Sequence, residues 1–432
     1  MQRYLVRFAQ IKEDFRLDEL RSICSTCAVP FPEADTPSYS TSVLCLLLLL
    51  QVAFDSRPFG SLTFLMLLRC APFLIGPSWL GILCLKDSRA LFCREIVELI
   101  GEGCSLEVVL EATRSLSAEY YRPYQMLPFR FDVDDYMRKI SMEEQVALIN
   151  KFAFMPLEGP VSMSRPGVVF SLHCDAVADH FYFGRLIGVG RRDLIDTFNL
   201  KKRGYLGTTS MDAELSLVMS NFAHITNGSL VYDPFVGTGS LLCTAAFFGA
   251  YALGSDIDGR QLRGSHERSI ASNMQQYRVE GRFVGGLVFD VRHHPWRRGF
   301  QVDAIITDPP YGVRAGAKKI GTSAPYPLSC SALLSPQEKA DRYPKTIPYE
   351  MDELAEDLHR LAVTMLREGG RLVYWFPVEV PLGEDDGRLN ESTLRSLLPV
   401  VKGLVLICVV PQRCRMFDRW LVVFEKRTLL LP

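Results

Sequence analysis

Apolar positions along this chain follow two periods, and the alternation between them outlines its organisation. In the C-terminal half, short β-branched or aromatic runs at 229–232, 251–255, 287–289, 302–307 and 371–376 read as buried strands. Residues 241–248 and 351–367 between them read as helices, closed by Gly249 and by Gly369-Gly370. Ahead of the first run, Leu215, Val218, Met219 and Phe222 recur at i, i+3, i+4 and i+7. That spacing predicts a helix over 212–223 with one apolar face and Ser210 as its N-cap. Strand and helix in alternation imply an open α/β sheet, and the runs at 403–410 and 420–425 close it as a hairpin. The N-terminal third is mixed. Residues 4–9 read as a strand, 15–24, 95–102 and 106–116 as helices, and 160–163 with 168–172 as paired strands around Arg165-Pro166-Gly167. This is an α+β pattern.

One block breaks the alternation. Residues 43–54 are almost wholly apolar, with five consecutive leucines, and 62–68 form a second run. Neither reaches the roughly 18 residues that span a bilayer, and Asp55, Arg57 and Arg69 interrupt them. The runs begin too late, behind too many charges, for a secretory signal. A membrane protein is therefore not indicated.

A length of 432 residues implies two or three domains, and 48% hydrophobic residues allow sizeable cores. The net charge of −1 excludes a global basic field for nucleic acid. RNA contact then falls to local patches: Lys201-Lys202-Arg203, Arg292-His293-His294 with Arg297-Arg298, Lys318-Lys319, and Arg413-Cys414-Arg415 with Arg419. Trp296 and Phe417 lie among them as candidate stacking rings. Twelve scattered cysteines give no disulfide framework. Cys24-Ser25-Thr26-Cys27 has ligand spacing but no second pair, so no metal site is expected.

Two strand-end motifs carry the chemistry. Asp233-Pro234-Phe235-Val236-Gly237-Thr238-Gly239-Ser240 follows the first strand. Gly237 and Gly239 let backbone approach a ligand where a Cβ would intrude. The next strand ends at Asp256-Ile257-Asp258, where an acidic side chain can hold ribose hydroxyls. Asp290, after Leu287-Val288-Phe289, is a candidate partner for an adenine amino group. These features suit S-adenosylmethionine, and taken alone they suit a nicotinamide dinucleotide equally. Asp308-Pro309-Pro310-Tyr311 ends the run 302–307 and decides between them. Two prolines force a turn that sets the Asp308 carboxylate beside the Pro309 carbonyl. Two acceptors so placed take the two N–H bonds of an exocyclic amino group and free a lone pair otherwise delocalised into the base. Tyr311 supplies a ring to stack on that base.

From residue 180 onward the chain resembles the THUMP-domain tRNA guanine-N2 methyltransferases. The resemblance rests on Phe183-Gly184-Arg185, Asp193-Leu194-Ile195, Lys201-Lys202-Arg203-Gly204-Tyr205, Thr209-Ser210-Met211-Asp212-Ala213-Glu214-Leu215, both motifs above, Gly254-Ser255-Asp256-Ile257-Asp258 and Pro295-Trp296-Arg297. Thr208 stands where that family usually has Asn. The resemblance implies a Rossmann-like class I methyltransferase domain over 180–432 behind an α+β ferredoxin-like/THUMP region over 1–175 that docks RNA. It implies S-adenosylmethionine as donor, the N2 of a tRNA guanosine, position 10, as acceptor, a cytoplasmic setting and a small zinc-containing activator subunit. It places Thr209 and Ser210 beside the methionine end of the donor. Catalysis is then expected from Asp308, Pro309, Pro310 and Tyr311. Cofactor binding is expected from Thr209, Ser210, Asp233, Phe235, Gly237, Gly239, Asp256, Asp258 and Asp290. The rival readings are an amino-methyltransferase acting on adenine or cytosine in DNA or another RNA, and a non-catalytic RNA-binding scaffold.

Residues 314–349 show no sustained apolar period and read as a long loop, a candidate lid over a flipped base. The block at about 34–70 has no place in the family-like pattern, which resumes near Pro72. It reads as coding sequence not normally translated, against the alternatives of buried core and a membrane-associated hairpin. On that reading, mass spectrometry of the protein purified from its native source yields no peptides from 44–69; recovery of such peptides refutes it.

Overall fold

The computed structural model describes residues 2–8, 12–26, 45–50, 89–136, 138–175, 179–265, 267–310, 316–321, 346–379, 388–414 and 417–428. The chain divides into two compact units, Met1–Arg192 and Asp193–Pro432. Among the described residues, no helix is long and apolar enough to cross a membrane.

The N-terminal unit is built on a six-stranded sheet in the order β2-β1-β3-β6-β5-β4. Its strands are β1 (Gln2–Phe8), β2 (Cys45–Leu50), β3 (Cys93–Gly103), β4 (Phe129–Tyr136), β5 (Val168–Asp175) and β6 (His180–Val189). Every pairing is antiparallel except β4 with β5. From the apolar block, Cys45–Leu50 pairs with β1 at the sheet edge; residues 27–44 and 51–88 lie outside the described residues.

Residues 95–102 form a strand, not the expected helix. Glu95, Glu98 and Glu102 have helical spacing, but neighbouring strands supply the arginines that answer two of them. Arg185 on β6 pairs with Glu98 at 2.6 Å, and Arg7 on β1 pairs with Glu95. Tertiary pairing thus overrides local pattern at a central strand. Residues 160–163 are likewise not a strand: Val161 makes only an isolated bridge to Phe129. The helix Leu106–Arg114 forms as expected, with the Ser105 hydroxyl accepting from the Val108 amide. Phe183 is fully buried, stacked on Phe152 at 4.2 Å between ring centroids and flanked by Phe131 and Phe170.

The C-terminal unit carries a seven-stranded sheet, ordered β14-β15-β13-β10-β7-β8-β9. These strands are β7 (Leu230–Asp233), β8 (Tyr251–Asp256), β9 (Phe283–Val288), β10 (Val302–Thr307), β13 (Leu366–Glu379), β14 (Leu404–Arg413) and β15 (Phe417–Lys426). β9, β8, β7, β10 and β13 run parallel, and β15 inserts antiparallel between β13 and β14. A separate ribbon pairs β11 (Lys318–Ile320) with β12 (Thr346–Pro348), where a continuous loop was expected; residues 322–345 lie outside the described residues.

Two local expectations are corrected here. The helix Ala213–Phe222 is capped by Asp212, whose carboxylate accepts from the Glu214 and Leu215 amides, rather than by Ser210. It is buried at every position rather than on one face. Its serines are tolerated because Ser216 and Ser220 donate back to carbonyls four residues earlier. Gly369-Gly370 does not end the helix Met351–Met365. β13 starts at Leu366, and the glycines sit in a bulge between the pairs Val302–Leu366 and Ala304–Arg371, Gly369 having φ +73°.

Phe183→Ala should destabilise the N-terminal unit by about 3–5 kcal/mol, because the ring leaves a cavity among three other phenylalanines. Denaturant unfolding followed by circular dichroism measures this; a loss under about 1 kcal/mol would mean that the site collapses without cost.

Candidate functional site

The strand order of the second unit reverses between β7 and β10, and ligands of open α/β sheets bind beyond the carboxyl ends of strands at such a point. Besides the backbone pairing of the two strands, a side-chain contact ties their ends together. The Thr307 hydroxyl at the end of β10 donates to Asp233 Oδ1 at the end of β7 over 2.7 Å. The Phe235 amide donates to the same oxygen at 3.0 Å. Asp233 is 2% exposed, and burial pushes its carboxyl up to about 7 against these two hydrogen bonds, with the charges of Asp256 and Asp308 adding to the rise.

After β7 the chain turns through Gly237 at φ +48° and Gly239 at φ +78°. Gly239 directly precedes the helix Ser240–Phe247, and a Cβ there would come 2.9 Å from Ile270 Cγ2. β8 ends in Asp256, which ties two loops together: Oδ2 accepts from the Gly237 amide and Oδ1 from the Asp258 amide, both at 2.8 Å. Burial raises Asp256. Asp258 caps the short helix Gly259–Arg263 and pairs with Arg260 at 2.9 Å, which lowers it. Ser210, freed from capping, accepts from the Gly207 amide and bonds the Thr238 hydroxyl, both at 2.9 Å. The 207–210 segment is thereby fastened to the glycine turn.

These loops enclose a cleft of about 710 Å³. Of the residues expected from sequence, Thr209, Ser210, Phe235, Gly237, Asp256, Asp258, Asp290, Asp308, Pro309 and Pro310 line it. Asp233 and Gly239 are not in the lining; they shape the turn from behind. Tyr311 lies outside the described residues. Asp290 is 3% exposed and is engaged within the protein. Its Oδ2 accepts from the Ile320 amide at 2.7 Å and its Oδ1 from the Arg292 amide at 3.0 Å. Burial pushes this carboxyl up, but those bonds and the Arg292 guanidinium prevail and lower it. Asp290 thus clasps the β11 ribbon to the cleft wall.

The lining also contains Asp212, Gln261, Lys318, Tyr349, Phe417 and Arg419, which sequence motifs did not single out as one site. Arg419 Nη1 stands 3.8 Å from Asp308 Oδ2. The two are distant in sequence, and only the hairpin of β14 and β15 brings them together. The basic patches resolve differently from their sequence reading. Arg203 is buried, donating to the Tyr277 hydroxyl and to Ser240. Lys319 pairs with Glu353. Trp296 is partly buried, its ring packed among Tyr232, Phe289 and Phe300, whereas Phe417 lines the cleft. Cys27 lies outside the described residues, and among the described residues no cluster of three or more His, Cys, Asp or Glu is placed to hold a metal.

A parallel sheet with one antiparallel strand inserted near its edge, a glycine turn after its central strand and an acidic end to the next define a Rossmann-like class I methyltransferase. Comparison with known proteins gives the finer placement. Residues 87–192 match the Tmrp11 THUMP N-terminal domain, and residues 201–324 match the RMKL-like methyltransferase domain. The chain is 41% identical over 304 residues to the tRNA (guanine(10)-N(2))-methyltransferase of Schizosaccharomyces pombe, covering 69% of this chain and 64% of that protein. It is 32% identical over 404 residues to the tRNA (guanine(10)-N(2))-methyltransferase TRMT11 of Mus musculus, covering 88% of this chain and 80% of that one. The Saccharomyces cerevisiae enzyme is 30% identical over 358 residues, with 78% and 80% covered. The chain belongs to the tRNA (guanine(10)-N2)-methyltransferase family.

Because Asp233 has a higher pKa folded than unfolded, its contribution to stability is full below about pH 4 and is lost as pH rises through about 7. Asp233→Asn should therefore flatten the decline in melting temperature between about pH 5.5 and 7.5. Thermal scans across that range test it; an unchanged slope in the variant means that another group titrates.

Proposed function

We propose that this protein transfers a methyl group from S-adenosylmethionine to the N2 amino group of a guanosine in tRNA, the position-10 nucleotide named for its relatives. One observation carries the reading: Asp308-Pro309-Pro310, at the carboxyl end of β10, lines the same cleft as the glycine turn and the Asp256/Asp258 wall. The residues present fit the donor. At Gly237 a Cβ would point at Gln261 in the cleft lining, so the open glycine backbone leaves room for a ligand. Asp256 and Asp258 stand where ribose hydroxyls are held, Asp290 near an adenine amino group, and Thr209 with Ser210 beside the methionine end. Phe235 gives an apolar surface, while Asp233 and Gly239 hold the turn in shape. When bound, the cofactor supplies an electrophilic methyl on a sulfonium.

The chain's own residues prepare the acceptor. Asp308 and the Pro309 carbonyl accept the two N–H bonds of the guanine N2, shifting it towards tetrahedral geometry with its lone pair free. With the methyl supplied from the sulfonium, its C–S bond exchanged for N–C, the nitrogen would become acidic and would give its proton to Asp308 or to water. Pro310 fixes the turn, and Tyr311 provides the stacking ring. Taking the base out of a folded tRNA costs a few kcal/mol, offset by contacts to the RNA-docking N-terminal unit. A small zinc-containing activator subunit completes the enzyme. Edge strand β9, with Val284, Leu287 and Val288 all more than 40% exposed, offers unpaired backbone and apolar surface for a partner. The setting is cytoplasmic.

Asp308→Ala should lower kcat on unmodified tRNA by roughly 10²-fold or more, as loss of a preorganised charged contact does, with little change in the dissociation constant of S-adenosylmethionine. Labelled-methyl assays with and without the activator, followed by nucleoside analysis, test both reaction and substrate. N2-methylguanosine is the expected product. Methyladenosine or methylcytidine would move the substrate, and loss of cofactor affinity in the variant would reassign Asp308.

A further inference from the structure

Among the described residues five aspartates line the cleft, Asp212, Asp256, Asp258, Asp290 and Asp308, with Lys318 and Arg419 as the cations of the lining; Asp258 and Asp290 are themselves paired with Arg260 and Arg292. Asp233 on neighbouring β7 feels the charge of Asp308 as well. Tyr349 and Cys414 are the other titratable groups of the lining among the described residues. Like charges on Asp308 and Asp233 oppose one another, so the site gains from a cation at this point. The reading above needs an acceptor, and a protonated carboxyl offers the amino group one acceptor fewer.

Arg419 answers this. It stands on β15, its Nη1 3.8 Å from Asp308 Oδ2. Its guanidinium is held on two other sides. It lies over the ring of fully buried Trp375 at 4.5 Å, and its Nε donates to Gln412 Oε1 at 2.6 Å. Trp375, Gln412 and Arg419 belong to β13, β14 and β15, so three strands of one sheet fix the cation that faces the end of a fourth. A guanidinium stacked and hydrogen-bonded in this way loses little further freedom on meeting its carboxylate.

We infer that Arg419 is a positioning residue that keeps the Asp308 carboxylate ionised and aimed into the cleft. The inference rests on Asp308 as the amino-group acceptor. Arg419 does not touch the reacting atoms; it acts through Asp308.

Two measurements test it. In protein labelled with [13Cγ]aspartate, the Asp308 resonance is identified by its loss in Asp308→Asn. Its titration midpoint should rise by about one unit in Arg419→Met, with Arg419→Lys between the two. An unchanged midpoint in Arg419→Met overturns the inference, and this readout stands whether or not the wild type methylates tRNA. In the methyl-transfer assay, Arg419→Met should lower kcat about 10- to 100-fold, with the KM for tRNA nearly unchanged and partial rescue by Arg419→Lys. Calorimetric binding of S-adenosylmethionine at wild-type affinity verifies that each variant is folded. A raised KM for tRNA with kcat intact overturns the inference and makes Arg419 an RNA-backbone contact. Absence of methyl transfer by the wild type, with the midpoint shift present, removes the methylation reading while the Arg419–Asp308 coupling stands.

Discussion

The hydrogen bond from Thr307 to Asp233 is the constraint on which the rest of the site depends. It joins the carboxyl ends of the two strands between which the order of the sheet reverses. The chain leaving one becomes the glycine turn, and the chain leaving the other becomes the Asp-Pro-Pro turn. Two turns built on separate strands, the donor and acceptor sides of the function proposed above, are thereby kept in register. Burying a carboxylate to do this costs stability, visible in the raised Asp233. The fold tolerates the cost because the same oxygen also accepts the Phe235 amide and sets the first bend of the turn.

From that anchor, acidic side chains serve two purposes. Asp212, Asp256, Asp258 and Asp290 are engaged with backbone amides at 2.7–3.0 Å, and each holds a loop or helix end in place. All four also line the cleft, so its acidic groups are already fixed by the scaffold. Such preorganisation gives a polar site its strength, because little reorganisation remains when the ligand arrives. Asp290 extends the arrangement outward by holding the β11 ribbon through the Ile320 amide. Arg419 extends it across the sheet, from the C-terminal hairpin back to Asp308.

The N-terminal unit uses charge differently. Glu98 is 6% exposed and meets Arg185 at 2.6 Å, with the Tyr120 hydroxyl donating to it at 3.2 Å. A pair this buried adds little net stability over an apolar pair, but breaking one partner strands the other. Its effect is on register: only the observed alignment of β3 with β6 brings these two residues together. The phenylalanine cluster around Phe183 supplies the burial that stabilises the unit.

What the sequence determined by itself was whatever depends on local rules. Strand ends marked by Asp233, Asp256 and Asp308, the glycine-bearing turn at Gly237 and Gly239, and the alternation of strand and helix were legible because a proline, a glycine or a short apolar run constrains its own backbone. The family was legible for the same reason, since its motifs are contiguous. What only the tertiary structure decided was everything that depends on partners far along the chain. Residues 95–102 are a strand because arginines on neighbouring strands neutralise two of their glutamates. Ser210 bonds Thr238 and leaves the cap to Asp212. Arg203 is buried, and Trp296 partly buried, by residues that no local pattern associates with them. Arg419 reaches Asp308 only because an antiparallel hairpin closes the sheet. Periodicity reports which face of an element is apolar, but the identity of the group opposite a charge is set by strand order and register, which a one-dimensional pattern does not contain.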